Sequence, residues 1–306
     1  FGWCMADYNT HREFGSGDRI CYHGVLDMFR NPKLAAAVYV SQKTPRSPSD
    51  IVLEVSSGMA LGDLPGGAPT ACWVFTNAES VRLYRGNDYI AAFSPDRHGR
   101  FAAMPHPPIE INDFVGSLLE KYEGMDPPSA QAAAAILNDM RRCAMELSPL
   151  SKARMLSLRL SWNEVARMYC KYIGILGSPS PVYRFEAVWH GRVVGTVVRE
   201  PVQSVRLECT VHNPILTDGP TWDCAAVSLR AIDQNGNLLP YCGEAVQLRV
   251  DGPLKIIGPS VVPLRGGMAG TYLATTGEAG RAVLHCRMEG ALDTDAVLTI
   301  RSRENG

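Results

Sequence analysis

No Cys-x-x-Cys pair occurs among the nine cysteines of this 306-residue chain, Cys4, Cys21, Cys72, Cys143, Cys170, Cys209, Cys224, Cys242 and Cys286. An odd, unpatterned set argues against a disulfide framework or a structural zinc site, and for buried free thiols in a reducing compartment; an exported enzyme with one or two bridges is the alternative. No run of about 18 apolar residues exists, so no helix is expected to span a bilayer. Charge of one sign is also lacking. The net value of −1 gives no electrostatic case for a nucleic-acid or membrane-surface partner. An initiator methionine is missing too, so the chain is expected to start inside a longer protein, with any signal peptide upstream of Phe1. No metal-ligand cluster is visible, and no cofactor is implied.

Apolar residues make up 46% of the sequence, enough for two or three domains with their own cores. Phe1 to Ala6 is a nearly unbroken apolar run that ends in Asp7-Tyr8-Asn9-Thr10-His11, the pattern of a strand buried on both faces whose end opens to solvent. A glycine-bearing loop around Gly15 and Gly17 follows. Asn31-Pro32-Lys33 then reads as an N-cap with proline in the first turn of a helix through Leu34-Ala35-Ala36-Ala37-Val38-Tyr39.

After Gln42, the stretch Lys43-Thr44-Pro45-Arg46-Ser47-Pro48-Ser49 is a linker. Short β-rich runs come next: Ile51 to Val55, Ala71 to Thr76, Val81 to Tyr84 and Tyr89 to Phe93, with a turn at Gly86-Asn87-Asp88. From about Ile109 to Gly177 the period changes to that of helices. A capping box, Ser161-Trp162-Asn163-Glu164, precedes an apolar stripe of Val165, Met168, Tyr169, Tyr172, Ile173 and Leu176, and Gly177 stands at the expected C′ position. Pro149 marks a second helix start and Pro127-Pro128 a third, for three or four helices in all. The bases of this segment, Arg141, Arg142, Lys152, Arg154, Arg159, Arg167 and Lys171, read as a water-facing helical surface. Strands resume at Tyr183 to Trp189, turn at His190-Gly191, and continue at Arg192 to Val198. From Val205 to Ile300 the pattern is again all β, with turns at Gln234-Asn235-Gly236-Asn237 and Gly252-Pro253.

Trp3-x-x-Ala6-Asp7-Tyr8, then Gly24-Val25-Leu26-Asp27, then Arg30-Asn31-Pro32-Lys33-Leu34-Ala35-Ala36, resembles the last strand, loop and helix of the catalytic (β/α)8 barrel in glycoside hydrolase family 2. Asp7 to His11, with Gly15-Ser16-Gly17-Asp18-Arg19 behind it, is most similar to the β-galactosidases of that family. Glu-Ala-Val-x-x-Gly-x-Val-Val from Glu186 resembles the final hairpin of a sandwich domain in related enzymes. The phrase from Asp233 to Pro240, with Leu264-Arg265-Gly266-Gly267, resembles the immunoglobulin-like C-terminal domain of many bacterial members.

The expected fold is therefore mainly β, with immunoglobulin-like β-sandwich domains and an inserted helical segment, preceded by the last βα unit of a (β/α)8 TIM barrel. The expected boundaries are 1–44 for the barrel end, 45–108 plus 180–203 for a discontinuous sandwich, 109–179 for the helical insertion and 204–306 for the C-terminal sandwich. In a barrel of this kind the active site lies at the C-terminal ends of the strands. The resemblance implies that Trp3 packs on the sugar, while a tryptophan in a buried strand is otherwise simply core. Asp7 at the strand end orients neighbours or touches substrate. Asn9, His11 and His23 belong to the rim, although loop histidines are commonly just solvated.

Retaining enzymes of the family use two glutamates about 5–5.5 Å apart, and the resemblance assigns both to strands before Phe1. Glu13 lies past the final strand and is rejected as nucleophile. Tyr22 and His23 stand where glucuronidases carry Asn-Lys, which leaves no lysine for a uronate and favours a neutral sugar. Trp73 and Trp189 read as core, and Trp222, in a loop-like stretch, as a sugar-stacking candidate.

The implied function is the C-terminal part of a retaining β-galactosidase, inactive alone. Its implied partners are a β-galactoside or oligosaccharide and the missing N-terminal part of the same enzyme, and the implied assembly is a homo-oligomer, with neither nucleic acid nor membrane. Cytoplasmic location is expected. The alternatives are a non-catalytic immunoglobulin-like binding or adhesion module, and a family 2 enzyme acting on a mannoside or glucuronide.

Overall fold

The computed structural model describes residues 4–10, 19–57, 72–143, 146–174 and 181–302. The chain divides into two bodies, Phe1–Lys33 with Val202–Gly306, and Leu34–Pro201. The first begins with a short antiparallel ribbon of β1 (Tyr8–Asn9) and β2 (Ile20–Cys21). Just before it, Cys4 to Ala6 carry one parallel bridge, Ala6 with Leu26, in place of a full strand. The backbone of Met5 and Asp7 finds its partner in Leu26, whose N–H donates to Met5 O at 3.0 Å and whose carbonyl accepts from Asp7 N at 3.0 Å.

The second body starts with α1 (Leu34–Val40), which buries Ala36 and Ala37. The helix opens later than the Asn31-Pro32 signal suggests, because the Asn31 side chain is used elsewhere, as described below. Strands β3 (Leu53–Val55), β4 (Trp73–Thr76) and β7 (Ile109–Glu110) form one sheet, in the order β3-β4-β7. Strands β5 (Ser80–Arg85), β6 (Asp88–Phe93), β8 (Tyr183–Trp189) and β9 (Arg192–Arg199) form another, in the order β6-β5-β8-β9. His190 and Gly191 close the β8–β9 hairpin with φ of 50° and 74°, the doubly left-handed pair that a tight hairpin requires.

Between β7 and β8 lie α2 (Leu118–Glu123), α3 (Pro127–Arg142), α4 (Pro149–Ser157) and α5 (Trp162–Tyr172). Because β8 pairs with β5 across this interval, Val81 opposite Ala187 and Leu83 opposite Phe185, helices and sheet share one core. Phe114 meets Tyr183 edge to face, ring centres 5.6 Å apart. The capping box is formed: Ser161 Oγ accepts from Glu164 N at 3.3 Å, and the Glu164 carboxylate accepts from Ser161 N at 2.7 Å. Pro127 and Pro128 do not precede α3 but occupy its first turn, where a missing N–H costs nothing, and Asp126 caps it through Ser129 N.

Of the expected α5 stripe, Val165, Met168, Tyr169, Tyr172 and Ile173 are buried. Leu176 and Gly177 lie outside the described residues. The helix already ends at Tyr172, and Gly174, at φ 106°, follows its end. Arg141 departs from the water-facing reading. It is 1% exposed, with its guanidinium carbon 4.7 Å from the centre of the Phe114 ring.

The first body resumes as a two-sheet sandwich. One sheet holds β10 (Val205–Val211), β12 (Cys224–Ile232), β14 (Leu254–Ile257), β16 (Met268–Thr275) and β18 (Ala291–Leu292), in the order β14-β16-β12-β10-β18. The facing sheet holds β11 (Ile215–Asp218), β13 (Ala245–Asp251), β15 (Val261–Pro263), β17 (Gly280–Met288) and β19 (Thr294–Ser302), in the order β11-β19-β17-β13-β15. Alternation places Leu207, Val227, Leu229, Leu273, Leu248, Leu284 and Leu298 in a single core. Cys209 and Cys286 meet there with sulfurs 3.8 Å apart, and all nine cysteines are free.

Strand β16 breaks the alternation, because Ala269, Thr271, Leu273 and Thr275 are buried and so are Met268 and Ala274 on the other face. Its outer face is covered by the turn Asp27 to Asn31. A Cβ on Gly270 would stand 2.4 Å from Phe29 Cγ, so the missing side chain is the recess that receives this ring. Beside it, Asn31 Nδ2 donates to Ala269 O at 2.8 Å and to Asp27 Oδ2 at 2.7 Å.

Gly270→Val should destabilise the first body by about 1–3 kcal/mol, as overpacked sites do, read from its urea midpoint. In the second body, Glu123 accepts from Lys171 Nζ at 2.7 Å, from the Tyr172 hydroxyl at 2.7 Å and from Arg167 at 3.1 Å, contacts that hold its carboxyl down at about 2 against an ordinary 4.5. A carboxylate lowered in the fold stabilises above its unfolded value and loses that contribution as pH falls. The helical signal should therefore become easier to unfold between about pH 4.5 and about 2, and Glu123→Gln should flatten that part of a pH series of urea melts.

Candidate functional site

The residues expected at a sugar site centre on Asp7. Trp3, His11 and the rejected Glu13 lie outside the described residues. Asp7 closes the short contact between Met5–Asp7 and Leu26, and its side chain is 2% exposed. Oδ1 accepts from Gly24 N at 2.9 Å and from Lys33 Nζ at 2.7 Å. A buried carboxylate needs such partners, since an isolated charge taken out of water costs several kcal/mol. Here one backbone amide and one ammonium supply them. Gly24 is required by space, not by conformation: a Cβ there would lie 2.3 Å from both Ala6 C and Asp7 N.

Around this knot the surface is polar and aromatic. Lys33 Nζ also donates to Tyr22 O at 3.2 Å and lies 5.8 Å from the Tyr22 ring centre. The Tyr22 hydroxyl meets the Arg265 guanidinium, from the turn before β16. Partial burial, with the Asp7 carboxylate nearby, raises the Tyr22 phenol above its usual range. Tyr8 is raised as well, chiefly by its hydrogen bond with the Cys21 side chain. Asn9, opposite Ile20 on the ribbon, and His23 both have exposed side chains. The described part of the candidate site therefore joins Asp7 to Gly24, leaves His23 exposed in the preceding position and Asn9 on the ribbon, and buries only the Asp7 carboxylate.

Sequence reasoning misses Lys33, Tyr22 and Arg265 as site residues. Asn31-Pro32-Lys33 reads as a helix start, and a contact across 26 residues leaves no local signal. The residues just before Gly24, Tyr22 and His23, include no lysine; one reaches this place from further along the chain. It is Lys33, with its charge met by Asp7.

No family model matches the chain. A β-galactosidase of Thermoanaerobacterium thermosulfurigenes is 31% identical to it over 87% of its length. The chain spans about 30% of the length of this relative and of the β-galactosidases of Thermoanaerobacter pseudethanolicus and Rhizobium meliloti. A β-glycosidase of Bacteroides vulgatus superposes over 97% of this chain and 30% of its own, with a TM-score of 0.60 at 14% identity. A β-glucuronidase from glycoside hydrolase family 2 superposes over 94% of this chain and 24% of its own, with a TM-score of 0.54 at 13% identity. The chain is thus similar to β-galactosidases over most of its length and shares the fold of the mainly β, sandwich-bearing part of glycoside hydrolase family 2 enzymes.

If Gly24 and Lys33 hold Asp7 as described, Gly24→Ala should be more damaging than Lys33→Met. The first forces backbone apart, whereas the second removes one charged partner and leaves room for water to solvate the carboxylate in its place. Expected losses are about 2–4 kcal/mol and about 1–3 kcal/mol respectively, measured by urea denaturation of the first body's β signal.

Proposed function

We propose that this chain is the C-terminal part of a retaining β-galactosidase that hydrolyses terminal β-galactosides, and that it supplies sugar-contacting and structural parts but neither catalytic glutamate. The observation that carries the reading is the identity with a β-galactosidase over most of the chain. The knot at Asp7 supports it, since a buried carboxylate tied to Gly24 and Lys33 holds the backbone next to Asn9 and His23. In this reading Asp7 is a positioning residue, Trp3 covers the apolar face of the sugar, and Asn9, His11 and His23 line the rim. The chemistry is double displacement at glutamates outside this chain, and the isolated chain is inactive.

The pairing of Lys33 with Asp7 supports a neutral sugar over a uronate, because the ammonium already has its counter-charge. Residues 1–44 are proposed as the end of the barrel, 45–108 with 180–203 as a discontinuous sandwich, 109–179 as its helical insertion, and 204–306 as the C-terminal sandwich. Homo-oligomers and a cytoplasmic location complete the proposal, the latter supported by the unpatterned thiols; no helix among the described residues is long and apolar enough to cross a membrane.

Turnover of a panel of nitrophenyl glycosides by the full-length protein tests the activity. The β-galactoside should be the fastest, and preference for the glucuronide or mannoside would refute it. In the same protein Trp3→Ala should lower kcat/KM about tenfold or more, one step of about 1.4 kcal/mol in transition-state binding.

A further inference from the structure

The loop between β11 and β12 presents Trp222, which is 61% exposed, more than any other described tryptophan. An exposed indole offers a large apolar face with a polar N–H edge, the kind of group that gains most when a ligand covers it. The loop beneath it is fixed. Asp223 Oδ2 accepts from Thr217 N at 2.9 Å and Oδ1 from Cys224 N at 2.8 Å, while Asp223 N donates to Thr275 Oγ1 at 3.0 Å. On the other side Asp218, 7% exposed, accepts from Gly219 N at 2.9 Å and from Gly277 N at 2.6 Å. The backbone that carries the indole is therefore held between two carboxylate-tied turns, and little backbone ordering remains to oppose binding.

Trp222 also lines a cavity of about 260 Å³ with Thr217, Gly219, Pro220, Thr221 and Asp223. That volume is below the roughly 300–1,000 Å³ of drug-sized ligand sites. One flat aromatic face, two threonine hydroxyls and a carboxylate edge match the two-sided chemistry of a pyranose ring, which is apolar across its C–H face and hydroxylated at its rim. A protein partner would ask for a broader apolar patch than a single indole ringed by polar groups.

We propose that the Trp222 loop is a surface binding site for a hexopyranoside, with the indole stacked on the sugar's C–H face and Thr217, Thr221 and Asp223 hydrogen-bonding its hydroxyls. A β-galactoside is the specified sugar, and that choice rests on the proposed parent activity; its axial 4-hydroxyl leaves one face continuously apolar.

The test uses the whole 306-residue chain, whose five tryptophans give five indole N–H signals. Trp222→Phe identifies the signal of Trp222. Titration with methyl β-galactoside should move that signal saturably, Thr221→Val should weaken the response several-fold, and Trp222→Ala should abolish it with the far-UV dichroism unchanged. An unmoved Trp222 signal overturns the proposal, as does a shift that glycerol reproduces or that saturates with methyl β-mannoside and not with the galactoside. Failure of the full-length protein to hydrolyse β-galactosides bears on the parent activity alone, and a saturable Trp222 shift in that case still supports the site.

Discussion

The first body depends on an absence of atoms at Gly270. In a free-standing sandwich the outer face of β16 would be wet and its sequence would alternate. Here the strand is covered by the turn at Phe29, and the covering is close enough that no side chain fits beneath the ring. Close packing on both faces makes the strand rigid and also intolerant, since a well-packed interior gives way to an added methyl only by moving backbone. Asn31 adds a directional bond to this contact through Ala269 O. The turn is thus held by shape at one residue and by a hydrogen bond two residues on.

What the sequence made legible followed from short-range physics. The strands Tyr183–Trp189 and Arg192–Arg199 and the His190-Gly191 turn between them need only alternation and two left-handed residues. The Ser161–Glu164 capping box needs only a three-residue spacing. Where reading failed, a distant partner had overridden a local preference. Asn31 before Pro32 has the chemistry of a cap, but its amide is taken by Asp27 and by β16, so the helix begins at Leu34. Arg141 sits in a run of bases that suits water, yet Phe114 and the surrounding apolar side chains enclose it, and burial lowers its pKa. Gly177 has the right composition for a helix end, but Gly174 comes first.

The candidate site shows the same division. A carboxylate at Asp7, next to Tyr8, could be picked out from the sequence, and so could Gly24 as a position of note. Neither the buried state of the carboxylate nor its counter-ion could be. Both arise because residues 4–7 and 24–33 fold back on each other, so that Lys33 arrives beside an acid far away along the chain. Local pattern finds candidate groups; long-range closure decides which are spent on structure.

These two features share one stretch of chain, and that links the sandwich to the site. The turn that plugs β16 ends at Asn31, and Lys33 follows two residues later with its ammonium on Asp7. Tyr22, next to His23, is in turn held by Arg265 from the turn that leads into β16. The loop around Gly24 is therefore tied to the sandwich at both flanks, by the Asn31–Ala269 hydrogen bond on one side and by a phenol–guanidinium contact on the other. Any group carried by that loop inherits its position from side chains of the sandwich. A sandwich far away in sequence thus fixes the geometry of the loop around Gly24, because a loop has no core of its own and must borrow rigidity from whatever it packs against.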